Sequence, residues 1–150
     1  MLQLRDLYQE LIIDHSKNPR NFGSIDDADR TAKGFNPLCG DKLKLFLKLN
    51  GDVIEDVRFE GSGCAISTAS ASIMCQTIKG QTLAQAEALF EMFHFMLTDP
   101  KGPQQAREHL GKLAVFAGVS DYPARVKCAT LAWHTLRSAL SNAGDAASTE

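Results

Sequence analysis

The sequence has no long apolar run: no stretch approaches the roughly 18–20 consecutive apolar residues that a membrane-spanning helix needs. Its first residues also lack the charged and then apolar pattern of a secretory signal peptide. A net charge of −2 leaves no basic excess of the kind that nucleic-acid binding requires. We therefore expect a cytoplasmic protein that has neither a membrane nor a nucleic-acid partner.

Cysteine is scarce, and the spacing of the four cysteines excludes several classes of site. No two of them form a Cys-x-x-Cys pair, which argues against a zinc ribbon and against a thioredoxin-like redox site. In a reducing compartment, cysteines serve metal binding or catalysis more often than disulfide bonding. Hydrophobic residues make up 44% of the 150 residues, so one domain of this length can bury a core around such a site.

The order of the predicted elements indicates an α+β fold, in which a small antiparallel sheet of about three strands packs against several helices. Apolar periodicity and capping signals predict helices over residues 4–16, over 66–79, after Thr82 as N-cap, as one or two short helices within 104–118, and from about Tyr122-Pro123 with Ser120 or Asp121 as cap. We assign residues 1–141 to one domain. Residues 142–150 are small and polar, so we expect a flexible tail.

A β-hairpin over residues 41–60 is the best-defined local element. Leucines alternate with mostly basic residues from Asp41 to Leu49, as in a half-buried strand. Asn50-Gly51 follows and predicts a type I′ turn into the return strand. A further strand is expected near residues 28–35.

The hairpin also predicts where two thiols meet. Cys39 precedes its first strand and Cys64 follows its second, so antiparallel pairing brings both to the same end of the sheet. Asp41 follows Cys39 across Gly40, and Cys128 falls in the second turn of the last helix. Three thiolates and one carboxylate complete a tetrahedral set for Zn²⁺, and the same ligands can hold an iron–sulfur cluster. Unrelated buried cysteines are the alternative.

The remaining candidate residues favour ordinary roles. Cys75 lies in the helix over 66–79 and is interpreted as a core cysteine. His15 is interpreted as a helix cap or a surface residue rather than a metal ligand. Three further histidines, His94, His109 and His134, have no spacing typical of metal ligands. An apolar group near the middle of the chain favours core packing over a docking face: Phe90, Met92, Phe93, Phe95 and Met96.

At these residues the sequence resembles the IscU/NifU N-terminal family of iron–sulfur cluster assembly proteins, and most closely its SufU branch. The resemblance covers roughly residues 4–140. The motifs that carry it occur in the family's order: Leu7-Tyr8-Gln9-Glu10, Asp14-His15-Ser16-Lys17-Asn18-Pro19-Arg20-Asn21, Asn36-Pro37-Leu38-Cys39-Gly40-Asp41, Phe59-Glu60-Gly61-Ser62-Gly63-Cys64-Ala65-Ile66-Ser67 and Pro123-Ala124-Arg125-Val126-Lys127-Cys128-Ala129.

Three departures separate the chain from the scaffold branch of that family. Scaffold proteins carry a histidine directly before the third cysteine, where this chain has Lys127. They also carry a Leu-Pro-Pro-Val-Lys motif, where this chain reads Tyr122-Pro123-Ala124-Arg125-Val126-Lys127. The segment between Cys64 and Cys128 is longer than in scaffold proteins, with the insertion expected within residues 80–120. All three features resemble the SufU branch.

The resemblance implies a zinc-dependent sulfurtransferase. Such a protein accepts persulfide sulfur from a cysteine desulfurase of the SufS type and passes it to the downstream iron–sulfur assembly machinery. The resemblance further implies metal ligation by Cys39, Asp41, Cys64 and Cys128, and we assign sulfur acceptance to Cys39 with electrostatic support from Arg125 and Lys127. Two alternatives are a scaffold that assembles a labile [2Fe–2S] cluster on the same ligands and a structural zinc adaptor without sulfur chemistry.

Overall fold

The computed structural model describes residues 4–99, 101–102, 110–141 and 147–148. The predicted α+β class is confirmed. The elements follow in the order α1 Leu4–Lys17, β1 Arg30–Asn36, β2 Asp41–Asn50, β3 Val53–Ser62, α2 Ala65–Ile78, α3 Leu83–Thr98, a 3₁₀ helix Gly111–Asp121, α4 Pro123–Ser141 and β4 Ala147–Ser148.

The sheet has the strand order β3-β2-β1-β4. Strands β1, β2 and β3 pair antiparallel in chain order, which confirms the predicted small antiparallel sheet of about three strands. A two-residue strand, Ala147–Ser148, extends the sheet by pairing in parallel with Gly34 and Phe35 of β1. This strand lies within the segment predicted as a flexible tail, the rest of which is outside the described residues.

The hairpin of β2 and β3 is confirmed, although its turn differs from the prediction. Asn50 pairs with Val53, so the loop consists of Gly51 and Asp52. Of these residues only Gly51 has a positive φ, 63°. A type I′ turn needs positive φ at both central residues, so that prediction was wrong. The pairing shifts by one residue after Lys48, which marks a β-bulge.

The helices pack on the leucine-lined face of the sheet. Leu45 and Leu47 are fully buried there, as the alternating pattern predicted. Phe93 of α3 stacks on Trp133 of α4 with ring centroids 4.6 Å apart. Small residues on α2 allow close approach to α4, where the Ser70 hydroxyl donates to the Ala129 carbonyl oxygen at 2.6 Å. Core packing is confirmed for three members of the apolar group, Phe90, Phe93 and Met96, while Phe95 is partly exposed.

The helix boundaries agree with the capping signals except near the last helix. Thr82 caps α3 and forms a capping box with Gln85. Helix α4 begins at Pro123, as predicted. Ser120 and Asp121 belong to the preceding 3₁₀ helix, so the expectation that one of them caps α4 was wrong. Residues 104–109 of the predicted 104–118 helices lie outside the described part. No helix that is described has the length and apolarity to span a membrane.

His15 differs most from its predicted environment. Its side chain is 1% exposed, and Nδ1 lies 2.7 Å from the Ser72 hydroxyl of α2. The same hydroxyl accepts a hydrogen bond from the Arg20 backbone N–H at 2.8 Å. The interpretation of His15 as a cap or surface residue was therefore wrong, because the imidazole is buried and pairs with Ser72 of α2. Burial lowers the pKa of His15, and the nearby charge of Arg20 lowers it further.

Candidate metal centre

The Cys39 loop connects β1 to β2 through residues 37–40. The Gly40 backbone N–H closes the loop by donating to the Asn36 carbonyl oxygen at 2.9 Å. Gly40 has φ 73°, which glycine adopts without the steric cost of a side chain. The Leu38 N–H donates to Asn36 Oδ1 at 3.3 Å. This tight turn leaves Cys39 exposed at the surface.

Asp41 is the first residue of β2 and is fully buried. Its Oδ1 accepts a hydrogen bond from the Cys64 backbone N–H at 2.8 Å, and its Oδ2 accepts one from Asn36 Nδ2 at 3.3 Å. A Cβ atom on Gly63 would lie only 2.4 Å from Asp41 Oδ1. The carboxylate can therefore occupy this position only because residue 63 has no side chain.

Cys64 is the N-cap of α2. Its Sγ accepts a hydrogen bond from the Ser67 backbone N–H at 3.4 Å and lies 4.0 Å from Asp41 Oδ2. Cys64 thus meets Asp41 through both its backbone and its side chain.

Cys128 lies on α4, which places its thiol beside Cys39. Its side chain is 4% exposed, and its Sγ lies 3.4 Å from the Sγ of Cys39. One ligand atom from each of Cys39, Asp41 and Cys128 lies within 4.8 Å of the others, the one group of this kind in the described residues. The predicted convergence of the loop, the hairpin and the last helix is therefore present in the structure, with Cys64 adjacent to this group.

The ionised forms of the carboxylate and the thiols at this site are all negative, so they repel one another unless a cation is bound between them. Burial raises the pKa of the Cys128 thiol, and hydrogen bonding with Cys39 and Cys64 and the charge of Asp41 raise it further. Within the described part of the chain, Asp41 forms no ion pair with a lysine, arginine or histidine. A buried carboxylate without a cationic partner is costly. A divalent cation bound by sulfur and carboxylate ligands would remove this cost, so the donor set fits Zn²⁺.

The other residues that the sequence singled out are not members of this cluster. Arg125 is exposed and its guanidinium stacks over the Tyr122 ring, 4.8 Å from the centroid. Lys127 is half-buried. Cys75 is fully buried in the core, where burial raises the pKa of its thiol, so its interpretation as a core cysteine is confirmed. His94 and His134 contact each other, with ring centroids 5.8 Å apart, and His109 lies outside the described residues.

Asn36 is the residue of this site to which sequence reasoning assigned no role. It is fully buried, and Nδ2 lies 3.3 Å from Asp41 Oδ2 and 3.7 Å from Cys128 Sγ. Its place at the start of the Asn36–Asp41 motif was the available signal. Its contact with Cys128, 92 positions away, depends on how α4 packs and has no signature in local sequence.

The fold and the site together define a small α+β domain in which Cys39, Asp41 and Cys128 converge with Cys64 adjacent. The chain matches the family described as the NifU-like N-terminal domain over residues 7–141, and it belongs to that family.

Named relatives and solved structures agree with this family. The chain is 44% identical to the zinc-dependent sulfurtransferase SufU of Bacillus subtilis, over 89% of this chain and 88% of that protein. It is 39% identical to the iron–sulfur cluster assembly scaffold protein IscU of Streptococcus pyogenes, over 96% of this chain and 89% of that protein. The crystal structure of FiSufU from Fervidobacterium islandicum AW-1 superimposes with a TM-score of 0.80 at 37% identity, covering 92% of this chain and 99% of that one.

Proposed function

We propose that the protein serves iron–sulfur cluster assembly as a zinc-dependent acceptor and carrier of persulfide sulfur from a cysteine desulfurase. The observation that carries the proposal is the approach of Cys39, Asp41 and Cys128 to within 4.8 Å of one another, with Cys39 alone exposed. The likeness to the B. subtilis protein named a zinc-dependent sulfurtransferase supports it.

Four residues would hold the zinc ion: Cys39, Asp41, Cys64 and Cys128. When bound, zinc keeps the thiols in their thiolate form at neutral pH. The protein contributes the geometry, because Asp41 is fixed by the Cys64 N–H and Cys64 by the Ser67 N–H. Cys64 and Cys128 are less accessible than Cys39, which suits them to remain in place while Cys39 reacts.

Sulfur acceptance requires a nucleophile that a second protein can reach. The Cys39 thiolate attacks the terminal sulfur of the persulfide on the desulfurase cysteine. A new S–S bond forms at Cys39, the S–S bond on the desulfurase breaks, and the desulfurase cysteine leaves as a thiolate. The transfer involves no net oxidation or reduction. Arg125 and Lys127, close to Cys128 in sequence, would favour the incoming anionic sulfur electrostatically.

The second candidate is a scaffold that assembles a labile [2Fe–2S] cluster as cargo on the same four residues. The identity of 39% to a protein named a scaffold, over 96% of the chain, favours it. A carboxylate is a weaker ligand than thiolate for such a cluster, which suits temporary holding. Lys127, in the place of a histidine, favours sulfur transfer instead. A purely structural zinc adaptor is disfavoured by the exposure of Cys39, since its thiolate is open to reaction.

The first experiment tests Cys39→Ser with a cysteine desulfurase and cysteine as substrate. We expect purified wild-type protein to contain about one zinc per chain, to accelerate alanine release and to gain the mass of one sulfur atom. Cys39→Ser should neither accelerate alanine release nor gain this mass. Cys75→Ala is the matched control, because it removes a cysteine outside the cluster. Full stimulation by Cys39→Ser would exclude the assigned acceptor. Brown wild-type protein with iron and sulfide, and a desulfurase rate independent of zinc, would favour the scaffold.

A further inference from the structure

Asn36 occupies the point where the Cys39 loop, the buried carboxylate and helix α4 meet. It is the last residue of β1 and pairs directly with Asp41 across the sheet. Its side chain is fully buried. A buried amide requires partners for its polar atoms, and the identity of those partners indicates what the residue does.

The polar groups of Asn36 divide between the loop and the cluster. Its backbone carbonyl accepts from the Gly40 N–H at 2.9 Å, and its Oδ1 accepts from the Leu38 N–H at 3.3 Å, so these two oxygens hold the backbone on both sides of Cys39. Its Nδ2 faces Asp41 Oδ2 at 3.3 Å and Cys128 Sγ at 3.7 Å. One side chain therefore contacts two candidate ligands and the loop that carries a third.

An amide is chemically suited to this position. Carboxylate and thiolate groups accept strong hydrogen bonds from N–H donors, which fix their orientation and lower the energy of their lone pairs. Asparagine supplies two such donors without a positive charge, so it can orient anionic ligands without competing with a metal cation for them. Residues that orient metal ligands in this way typically change metal affinity by about 10–100-fold when they are replaced.

We propose that Asn36 is a positioning residue of the metal centre: its amide group orients Asp41 and Cys128 toward a shared divalent cation, while its oxygens hold the Cys39 loop against them. The proposal rests on the metal site of the proposed function and adds to it a residue that contacts no metal itself. It concerns metal binding and does not depend on whether sulfur or a cluster is the final cargo.

The test replaces Asn36 by alanine and measures zinc affinity by competition with a chelator. Asn36→Ala should weaken zinc binding by about 10–100-fold. The absorption of the Co²⁺-substituted protein supplies a second readout. Its sulfur-to-metal charge-transfer band should move to longer wavelength, because a thiolate that loses an N–H donor holds its lone pair at higher energy. A role in folding alone would not move this band.

Asn21→Ala is the matched control. Asn21 also donates a side-chain N–H to a backbone oxygen, that of Val57 at 3.1 Å, and it has a φ of 60° that alanine tolerates poorly. This variant should lower the unfolding temperature of the metal-free protein while leaving zinc affinity and the Co²⁺ spectrum unchanged. Equal losses of zinc affinity in the two variants would overturn the positioning role, since stability alone would then explain both.

If Asn36→Ala does not fold, Asn36→Asp carries the spectral test, because it keeps the shape and the acceptor for the Leu38 N–H but removes the N–H donors. A Co²⁺ spectrum unchanged in Asn36→Asp, or wild-type zinc affinity in Asn36→Ala, would overturn the proposal while leaving the proposed function intact. Wild-type protein that binds neither zinc nor Co²⁺ would overturn the metal site and, with it, both proposals.

Discussion

Helix α2 takes part in two buried polar clusters that differ in how well their groups satisfy one another. At its N-terminus, Cys64 lies beside the Cys39–Asp41–Cys128 group. The carboxylate and the three thiols of these four residues share few hydrogen-bond donors. Two turns further along, Ser72 joins His15 and the Arg20 N–H in a neutral set of hydrogen bonds, which we call the latch.

The two clusters therefore make opposite contributions to the free energy of unfolding. The latch stabilises the fold, because the Ser72 hydroxyl pairs with both His15 Nδ1 and the Arg20 N–H when His15 is neutral. We expect the metal centre to destabilise the metal-free fold, because the Asp41 carboxylate is buried without a cationic partner in the described part of the chain. Groups that cost stability are typical of functional sites rather than of structural ones.

The sharpest test of this contrast is Asp41→Asn, for which we expect the largest effect. The amide keeps the shape of the carboxylate and an acceptor for the Cys64 N–H but removes the buried charge. Zinc affinity should fall by more than the roughly 10–100-fold typical of residues around a ligand shell. The amide also places an N–H opposite Asn36 Nδ2, where the carboxylate had an acceptor, so this lost hydrogen bond offsets part of the benefit. The metal-free protein should therefore be at least as stable as wild type, because it no longer buries a charge.

Chelator competition and urea unfolding of the metal-free protein measure these two changes. A metal-free Asp41→Asn protein that is less stable than wild type would mean that Asp41 serves the fold, and the contrast between the clusters would then fail.

Gly63→Ala tests the space that the carboxylate needs. The new Cβ would lie 2.4 Å from Asp41 Oδ1, so either Asp41 or the start of α2 must shift. We expect a loss of about 1–3 kcal/mol in stability, together with weaker zinc binding. Gly118→Ala is the control, because among the described residues nothing beyond its own chain neighbours lies within 4 Å of the position a Cβ would take there. Equal behaviour of the two variants in unfolding and zinc titrations would argue against close packing at Gly63.

Ser72→Ala addresses the latch and should separate stability from metal binding. It removes the hydroxyl that bonds His15 and leaves the Arg20 N–H without that partner. The expected cost is about 1–3 kcal/mol in free energy of unfolding, with zinc affinity unchanged. Ser141→Ala removes an exposed hydroxyl of α4 and should cost almost nothing. A marked loss of zinc affinity in Ser72→Ala would show that the two clusters are coupled through α2.

The sequence predicted the parts of the site that depend on local pattern. Alternating leucines and the Asn50-Gly51 signal predicted the hairpin, and the hairpin alone placed Cys39 and Cys64 at one end of the sheet. The turn type was wrong because Asn50 remains paired with Val53, and the loop shifts by one residue to Gly51 and Asp52. A local signal thus identified the turn but not its register.

Contacts between distant elements could not be predicted in the same way. His15 and Ser72 are 57 positions apart, and Asn36 and Cys128 are 92 apart. Each contact depends on the angle and distance at which helices pack, which the periodicity of a single helix does not specify. The motif at Asn36–Asp41 pointed to Asn36 only after its partner on α4 was known. The ligand roles of the four cluster residues stay a prediction that the metal measurements address.

The smallest expected effect concerns the pH dependence of the latch. The pKa of His15 is lowered in the folded protein by burial and by the charges of Arg20 and Lys112, while Asp14 opposes the shift. The folded state therefore binds the proton less readily than the unfolded state, whose histidine pKa is about 6.5. The latch contributes its full stability above that value and loses it progressively as the pH falls toward the lower pKa of the folded state.

His15→Gln should lose less stability than wild type as the pH falls below about 6.5. Unfolding is measured on the metal-free proteins, so that zinc release does not contribute. Part of the slope should persist, because burial lowers the pKa of His134 as well. The matched variant His134→Gln should remove that part and leave the contribution of His15. Identical pH profiles for wild type and His15→Gln would mean that the protonated imidazole finds an equally good arrangement with Ser72, and the latch would then stabilise the fold independently of pH.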